Sequence, residues 1–345
     1  PSNDSYTYNG FRRGLEGVFT INASLPVSTT NFTGFQSMAN ALSQHGICTP
    51  VVINVMNGPY DEQVVFNTVP GSSAVNTITL NGNSQVLQYN PTNAANDHIL
   101  QLNGVNHMIV ENLTVNSLHA TQGRGIHITN GSSKITIRNN TVNVSTTNST
   151  SSAFGIIISG ANWLLDGSLS DSVVISGNTV SGGYSAIQLS GVHWNTPLTR
   201  ISVINNNVFD WYGFGVYLSY TNGALVSRNI IRRPTRTNSG SDAVTPAGIT
   251  VPAGSLAFLL EKNRIYDLHV SMPGSSTISR GVYMSGTTTA PTSGTIQNNL
   301  IYGMNNDGAQ YGIQDNSVTG PVNIYHNTIV LNNATGAGTS NTNAI

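Results

Sequence analysis

The sequence predicts an all-β chain folded as one single-stranded right-handed parallel β-helix, a solenoid, with a short N-terminal capping helix. Two alternating repeats and an unusual scarcity of charge predict it. Charged residues are 8% of the chain, against about 25% in ordinary globular proteins. Asn, Thr, Ser and 35 Gly take their place, while Val and Ile recur throughout. A disordered chain carries more net charge and fewer β-branched residues. The 345 residues are long for one compact core, but normal where each coil packs only on its neighbours.

The first repeat is an aliphatic residue, two variable residues, Asn, one variable residue and an apolar residue. It reads Ile137 to Val142, Ile175 to Val180, Ile204 to Phe209, Val226 to Ile231, Leu260 to Ile265, Ile296 to Ile301 and Ile324 to Ile329. An imperfect earlier copy is Val110 to Val115. Apolar residues two apart mark short strands with one buried face. Asn tolerates a left-handed backbone and bonds locally, which suits a tight turn. Stacked coils would align Asn140, Asn178, Asn207, Asn229, Asn263, Asn299 and Asn327 into a hydrogen-bonded ladder.

The second repeat is a small residue, an aliphatic, one variable residue and usually another aliphatic. It reads Gly125 to Ile128, Gly155 to Ile158, Ala186 to Leu189, Gly215 to Leu218, Gly248 to Val251, Gly281 to Met284 and Gly312 to Asp315. The last copy departs, with Asp315 at an inward position. Coils span about 22 to 38 residues, so the surplus leaves as loops between strands. The longest loops are expected near 141–153, 232–248 and 266–280.

The N-terminal part reads differently. Apolar residues from Phe32 to Leu42 follow helical spacing, and His45-Gly46 would end the helix. Val51 to Val55 is then a strand, Gly58-Pro59 a turn, and Glu62 to Phe66 a return to β structure. A solenoid needs its open end covered, and this helix does so. The expected organisation is an extension over 1–30, the capped helix over 31–335, and a Gly/Ser/Thr/Asn-rich tail over 336–345. The tail lacks a comparable cap, so the native chain is expected to continue or this end to lie against something.

At this point the chain resembles the pectate-lyase-like superfamily of right-handed parallel β-helices, over roughly residues 30 to 330. Phe35, Ala41, Leu42, Ile53, Gly58, Tyr60, Glu62 and Val64 resemble the capping region of pectin esterases and related secreted bacterial surface proteins. The superfamily includes polysaccharide lyases, glycoside hydrolases, esterases, epimerases, tailspikes and non-catalytic adhesins, so fold does not choose among them. The resemblance implies an extracellular or cell-surface location. Its enzyme motifs do not carry over. Pectin esterases need two aspartates and an arginine on adjacent coils, and Phe209-Asp210-Trp211 stands alone. No adjacent Asp pair serves a polygalacturonase site, and the acidic calcium cluster of pectate lyases is missing.

In this superfamily ligands lie along one sheet, which maps here to the second repeat. Its outward residues are His127, Ile157, Gln188, Tyr217, Thr250, Tyr283 and Gln314. Tyr217 and Tyr283 would stand two coils, about 10 Å, apart. Tyr and Gln combine apolar faces with donors and acceptors, which suits a polyhydroxylated ligand. The same residues also fit plain β propensity and solvation. The carbohydrate-binding candidates are His127, Gln188, Tyr217, Tyr283 and Gln314.

Catalytic candidates are Arg280, Asp315 and Asp307. Lyase chemistry needs a base and a cation beside the enolate. Arg280 and Arg124 precede binding-sheet strands, Arg232, Arg233 and Arg236 form a basic loop beside Asp242, and His193-Trp194 follows another strand. All read more simply as surface residues. Hydrolase chemistry needs two carboxylates roughly 5 to 9.5 Å apart, and Asp307 with Asp315 is the one pair near that sheet. Asp315 also fits a cap on the apolar stack.

The single cysteine, Cys48, reads as a small buried residue. The histidines show no metal-ligand spacing, and no cofactor is expected. A net charge of −1 argues against a nucleic-acid partner. No apolar run approaches the roughly 20 residues of a membrane span. Three readings stay open: a non-catalytic surface module or adhesin contacting glycans, a polysaccharide lyase or glycoside hydrolase, and a structural unit with end-to-end protein contacts at its C-terminal coil. The first ranks ahead.

Overall fold

The computed structural model describes residues 14–93, 96–160, 167–237, 246–269, 276–286, 290–316, 319–331 and 342–345. Among them, three parallel sheets run the length of a right-handed parallel β-helix. Successive coils contribute one strand to each sheet. Ser133–Arg138 lies in sheet 1, Thr141–Asn143 in sheet 2 and Ala153–Ile158 in sheet 3. The next coil repeats the order with Asp171–Ser176, Thr179–Ser181 and Ser185–Ser190.

The first repeat spans the corner between sheets 1 and 2. Ile137, Ile175, Val203 and Val226 pair in register on one side of it. Val142, Val180, Val208 and Ile231 pair on the other. All are fully buried, and together with the inward residues of sheet 3 they form one continuous core. Each such aliphatic contributes about 1.5 to 3 kcal/mol by leaving water.

The ladder fills the corner itself. Asn178 Nδ2 donates to Asn206 Oδ1 at 3.0 Å and to the Ile137 carbonyl at 2.9 Å. The Asn178 backbone N–H donates to the same Oδ1 at 2.9 Å. The pattern runs through Asn140, Asn178, Asn206, Asn229, Asn263, Asn299 and Asn327. One expected member is corrected: Asn207 is a strand residue of Asn207–Phe209, paired with Thr179 and Ile230. The buried aliphatic of that coil is Val203 rather than Ile204, which moves the repeat by one. The left-handed turn also falls elsewhere than expected. It is taken by the residue before each ladder Asn, namely Asn139, Gly177, Asn205, Arg228, Lys262, Asn298 and His326. The ladder Asn is needed for its side-chain amide, not for its backbone.

The small residues of the second repeat answer a packing constraint. A Cβ at Gly248 would meet Ile265 Cγ2 at 2.5 Å, and one at Gly281 would meet Ile301 Cγ2 at 2.6 Å. At these glycines the sheet 2 aliphatics press against sheet 3 at the coil's tight corner, so little but hydrogen fits, while the coil of Ala186 admits a methyl group at the same register.

The capping helix α1 spans Phe35–His45 and buries Phe35, Met38, Ala39 and Leu42. Phe32 lies outside it, in a short strand paired with Ile21. Glu62 reaches from a later segment to accept the N–H groups of Phe35 and Gln36 at 3.0 and 2.9 Å. A carboxylate there satisfies orphan donors and complements the helix dipole. Sheet 1 begins at Leu15, because Leu15–Ile21 pairs with Ile47–Val55. The strand Leu15–Ile21 thus belongs to the same sheet as the later coils. Cys48 is exposed, contrary to expectation, because it follows inward Ile47 on the alternating strand.

Candidate functional site

Sheet 3 carries the candidate site. Gln101, His127, Ile157, Gln188, Tyr217, Thr250, Tyr283 and Gln314 form one outward column in continuous register. A parallel column holds His98, Arg124, Phe154, Ser185, Phe214, Ala247 and Arg280. Outward does not mean open here. His127, Ile157, Gln188 and Thr250 are buried. Phe154, Ile157 and Tyr212 are buried as well, yet stand apart from the inner core. An aromatic layer covers the middle of the face: Tyr184 packs on Phe154, Tyr212 and Phe214, and Phe214 on Tyr217 at 5.0 Å. Burial pushes the Tyr217 hydroxyl up to about 12, so it stays protonated.

The first of two polar clusters lies at the N-terminal part of the face. Arg124 Nε sits 2.8 Å from Asp97 Oδ1, both nearly inaccessible. Gln101 Nε2 lies 3.0 Å and Arg124 Nη1 3.4 Å from His127 Nδ1, and His127 Nε2 lies 3.1 Å from Ser159 Oγ. Two donors converge on Nδ1, which must then accept, so the proton resides on Nε2 and is donated to Ser159. Ser159 in turn donates to the Gly160 carbonyl. This direction rules out His127 as the base that would activate Ser159. Burial, helped by the Arg124 charge, lowers the His127 pKa to about 3 and that of His98 to about 4. Burial raises the Asp97 carboxyl to about 6 against the pull of Arg124.

The second cluster lies two coils past Phe214 in register. The Arg280 guanidinium sits 4.3 Å from the Tyr283 ring centroid, and its Nε donates to Gln314 Oε1. Burial lowers the Arg280 pKa, while Tyr283 and Tyr311 act against it. The structure therefore joins Arg280, Tyr283 and Gln314. It does not join Asp315 to them, because Asp315 pairs with inward Met284 and so falls on the other face from Gln314. Asp307 lies in the turn ahead of the strand Gln310–Asn316. Gln188 is engaged within its own strand, accepting from Ser185 Oγ and donating to Ser190 Oγ.

Several arginines expected at the surface are buried. Arg233 stacks on Trp211 and donates to the carbonyls of Trp211 and Leu268 at 2.8 and 3.0 Å. Arg236 stacks on Tyr212 and donates to the Asp210 and Asn148 carbonyls. Asp210 accepts from Thr235 and the Arg236 N–H, so it braces a loop. Asp242 lies outside the described residues. Among the described residues no three His, Cys, Asp or Glu side chains are grouped to hold a metal ion. Among the described residues no helix is long and apolar enough to cross a membrane. Sequence reasoning missed Asp97, His98 and Gln101, although Leu100-Gln101-Leu102 is an earlier copy of the second repeat.

Solved structures that are similar over most of the chain include the following three. An alginate lyase from Paenibacillus sp. str. FPU-7 is 12% identical, with 89% of this chain and 97% of that one covered at a TM-score of 0.57. The periplasmic alginate epimerase AlgG is 14% identical, with 82% of this chain and 60% of that one covered at 0.52. The pectate lyase Pel9A is 10% identical, with 93% and 78% covered at 0.52. At such identities the likeness is one of fold. No curated protein matches the sequence. Residues 154–345 match the family described as right handed beta helix region. That match spans more than half of the 345 residues, and the chain belongs to this β-helix family.

Proposed function

We propose that the protein is a non-catalytic extracellular or cell-surface module that holds an extended polysaccharide against sheet 3. The observation that carries this reading is the Arg280, Tyr283 and Gln314 group, a guanidinium stacked on a tyrosine and bonded to an amide. It offers a cation, a ring face and hydrogen-bonding groups to a sugar, with an acidic sugar the better match. The rest of the face supports binding over catalysis. Tyr217 holds its proton, His127 is a weak buried base already bonded at both nitrogens, and Asp315 lies in the inward register.

A second reading, a polysaccharide lyase or glycoside hydrolase, is favoured by the buried Asp97, Arg124 and His127 cluster and by the alginate and pectate chemistry in the names of the similar structures. Electrophoresis through gels containing alginate or polygalacturonate tests the binding. Retardation of the wild type, lost in Tyr283→Ala, is the expected result. Unretarded migration in both gels removes the reading. Rising absorbance from unsaturated products, or new reducing ends, transfers the assignment to the enzyme.

A further inference from the structure

We infer a second glycan site at the ends of the sheet 3 strands, a groove with no charge among its described lining residues, which runs onto an aromatic ledge of His193, Trp194 and Tyr220 and takes a neutral polyhydroxylated chain. The inference rests on the reading of the protein as a glycan binder but uses none of the Arg280 group. The groove holds about 620 Å³ and is lined by Gln101, Asn103, Thr129, Asn130, Ser168 and Val192, among others. None of its described lining residues is charged. Its amides and hydroxyls offer paired donors and acceptors, which match sugar hydroxyls without calling for a carboxylate.

Val192 joins the groove to the ledge, since it is followed directly by His193 and Trp194. The His193 ring lies 5.4 Å from Trp194 and 5.9 Å from Tyr220 between centroids. Val192 and His193 are exposed and Trp194 and Tyr220 partly so. This is an unusual grouping to leave at a surface. The turn that presents it is built: the Thr196 N–H donates to the His193 carbonyl, and the Asn195 N–H to His193 Nδ1. That second bond leaves the imidazole proton on Nε2 as a donor.

Tyr220 is placed on the ledge by the corner turn. Its φ is 51°, the left-handed region that a bulky side chain rarely enters. Gly104 and Asn130 take the same left-handed turn just after the sheet 3 strands of earlier coils, so the conformation belongs to the corner and fixes where the Tyr220 ring is presented. The chain is held there because the Leu198 N–H donates to the Tyr220 carbonyl at 2.9 Å. On the next coil Gly254 makes room for the ring, as a Cβ there would lie 2.6 Å from Tyr220 Cδ1 and 3.1 Å from Trp194 Cβ. Ring faces beside neutral hydrogen-bonding groups match the C–H face and hydroxyl rim of a hexopyranose chain.

Electrophoresis through gels containing galactomannan, xylan or mixed-linkage glucan tests this site. Retardation by at least one of them is expected, with affinity falling at least tenfold in Trp194→Ala and within twofold of wild type in Tyr283→Ala. Trp194→Phe should keep most of the affinity but lose the change in tryptophan emission that binding produces. Unchanged melting temperatures would show that both Trp194 variants are folded. Unretarded wild type in all three gels overturns the inference, as does undiminished binding by Trp194→Ala. Retardation confined to alginate or polygalacturonate, and dependent on Tyr283, sinks this site while leaving the Arg280 reading intact. Neutral-glycan binding without acidic-glycan binding does the reverse.

Discussion

Asn206 donates from Nδ2 to Asn229 Oδ1 at 3.0 Å, and its backbone N–H donates to the same oxygen at 2.9 Å. The neighbouring Asn207 is half-buried in a strand and lies off the ladder. Asn229 thus accepts two donors from the coil before it, and its own amide donates to the Val203 carbonyl of that same coil and to Asn263 Oδ1 of the next.

Replacing Asn229 by Ala strands the Asn206 N–H and amide and the Val203 carbonyl in the interior. Each buried unsatisfied group costs about 1 to 3 kcal/mol. Urea unfolding should show a loss of about 3 kcal/mol or more for Asn229→Ala, and less than about 1 kcal/mol for Asn207→Ala, which removes no ladder bond. Equal losses would contradict the register.

Gly281→Ala should destabilise by about 1 to 3 kcal/mol, the usual range for overpacking. The clash is with Ile301 Cγ2 at 2.6 Å and with the Gly312 carbonyl at 2.5 Å. Trimming Ile301→Ala removes Cγ2 and relieves the side-chain part of the clash, while the Gly312 carbonyl remains. A double-mutant cycle by thermal unfolding should give a favourable coupling of about 0.5 kcal/mol or more. Strict additivity would mean that the two sites do not press on one another.

Stability should fall as pH drops below about 6.5. His98 and His127 have folded pKa values lowered to about 4 and about 3, so the unfolded chain takes up protons that the native state refuses. Each such histidine removes about 1.4 kcal/mol per pH unit between 6.5 and its folded pKa. Asp97, raised to about 6, acts in the opposite sense between about 6 and 3.8, where the native state holds its proton. The two histidines outweigh it. His127→Gln should flatten the slope of unfolding free energy between pH 6 and 4 by about 1.4 kcal/mol per unit. An unchanged slope would show that His127 is not held neutral in the native state.

Arg280→Lys keeps the charge but loses the planar fork that stacks on Tyr283 and reaches Gln314. Binding to whichever acidic polysaccharide retards the wild type should weaken about tenfold, measured by the same gel retardation. Asp315→Asn should leave it within twofold, because Asp315 occupies the register of inward Met284. A strong effect of Asp315→Asn with none from Arg280→Lys would invert the assignment of the site.

The sequence alone determined the solenoid, its phase and the columns of equivalent residues. A parallel stack repeats one local problem on every coil. An aliphatic is needed inside, an amide at one corner and a small residue at another, so each answer is written many times along the chain. Where several residues fit, as in Ile204-Asn205-Asn206-Asn207, the pattern slips by one, and only the pairing of Val203 with Ile175 chooses. Exposure was decided by the tertiary structure. Alternation tells which side of a strand a residue takes, but not what lies over that side. His127 and Gln188 disappear beneath covering groups while Tyr283 and Gln314 remain partly open. The same holds for Asp97 with Arg124, which meet across neighbouring coils. Contacts between loops and strands distant in sequence occur once each, so no repeat announces them, and packing alone brings them together.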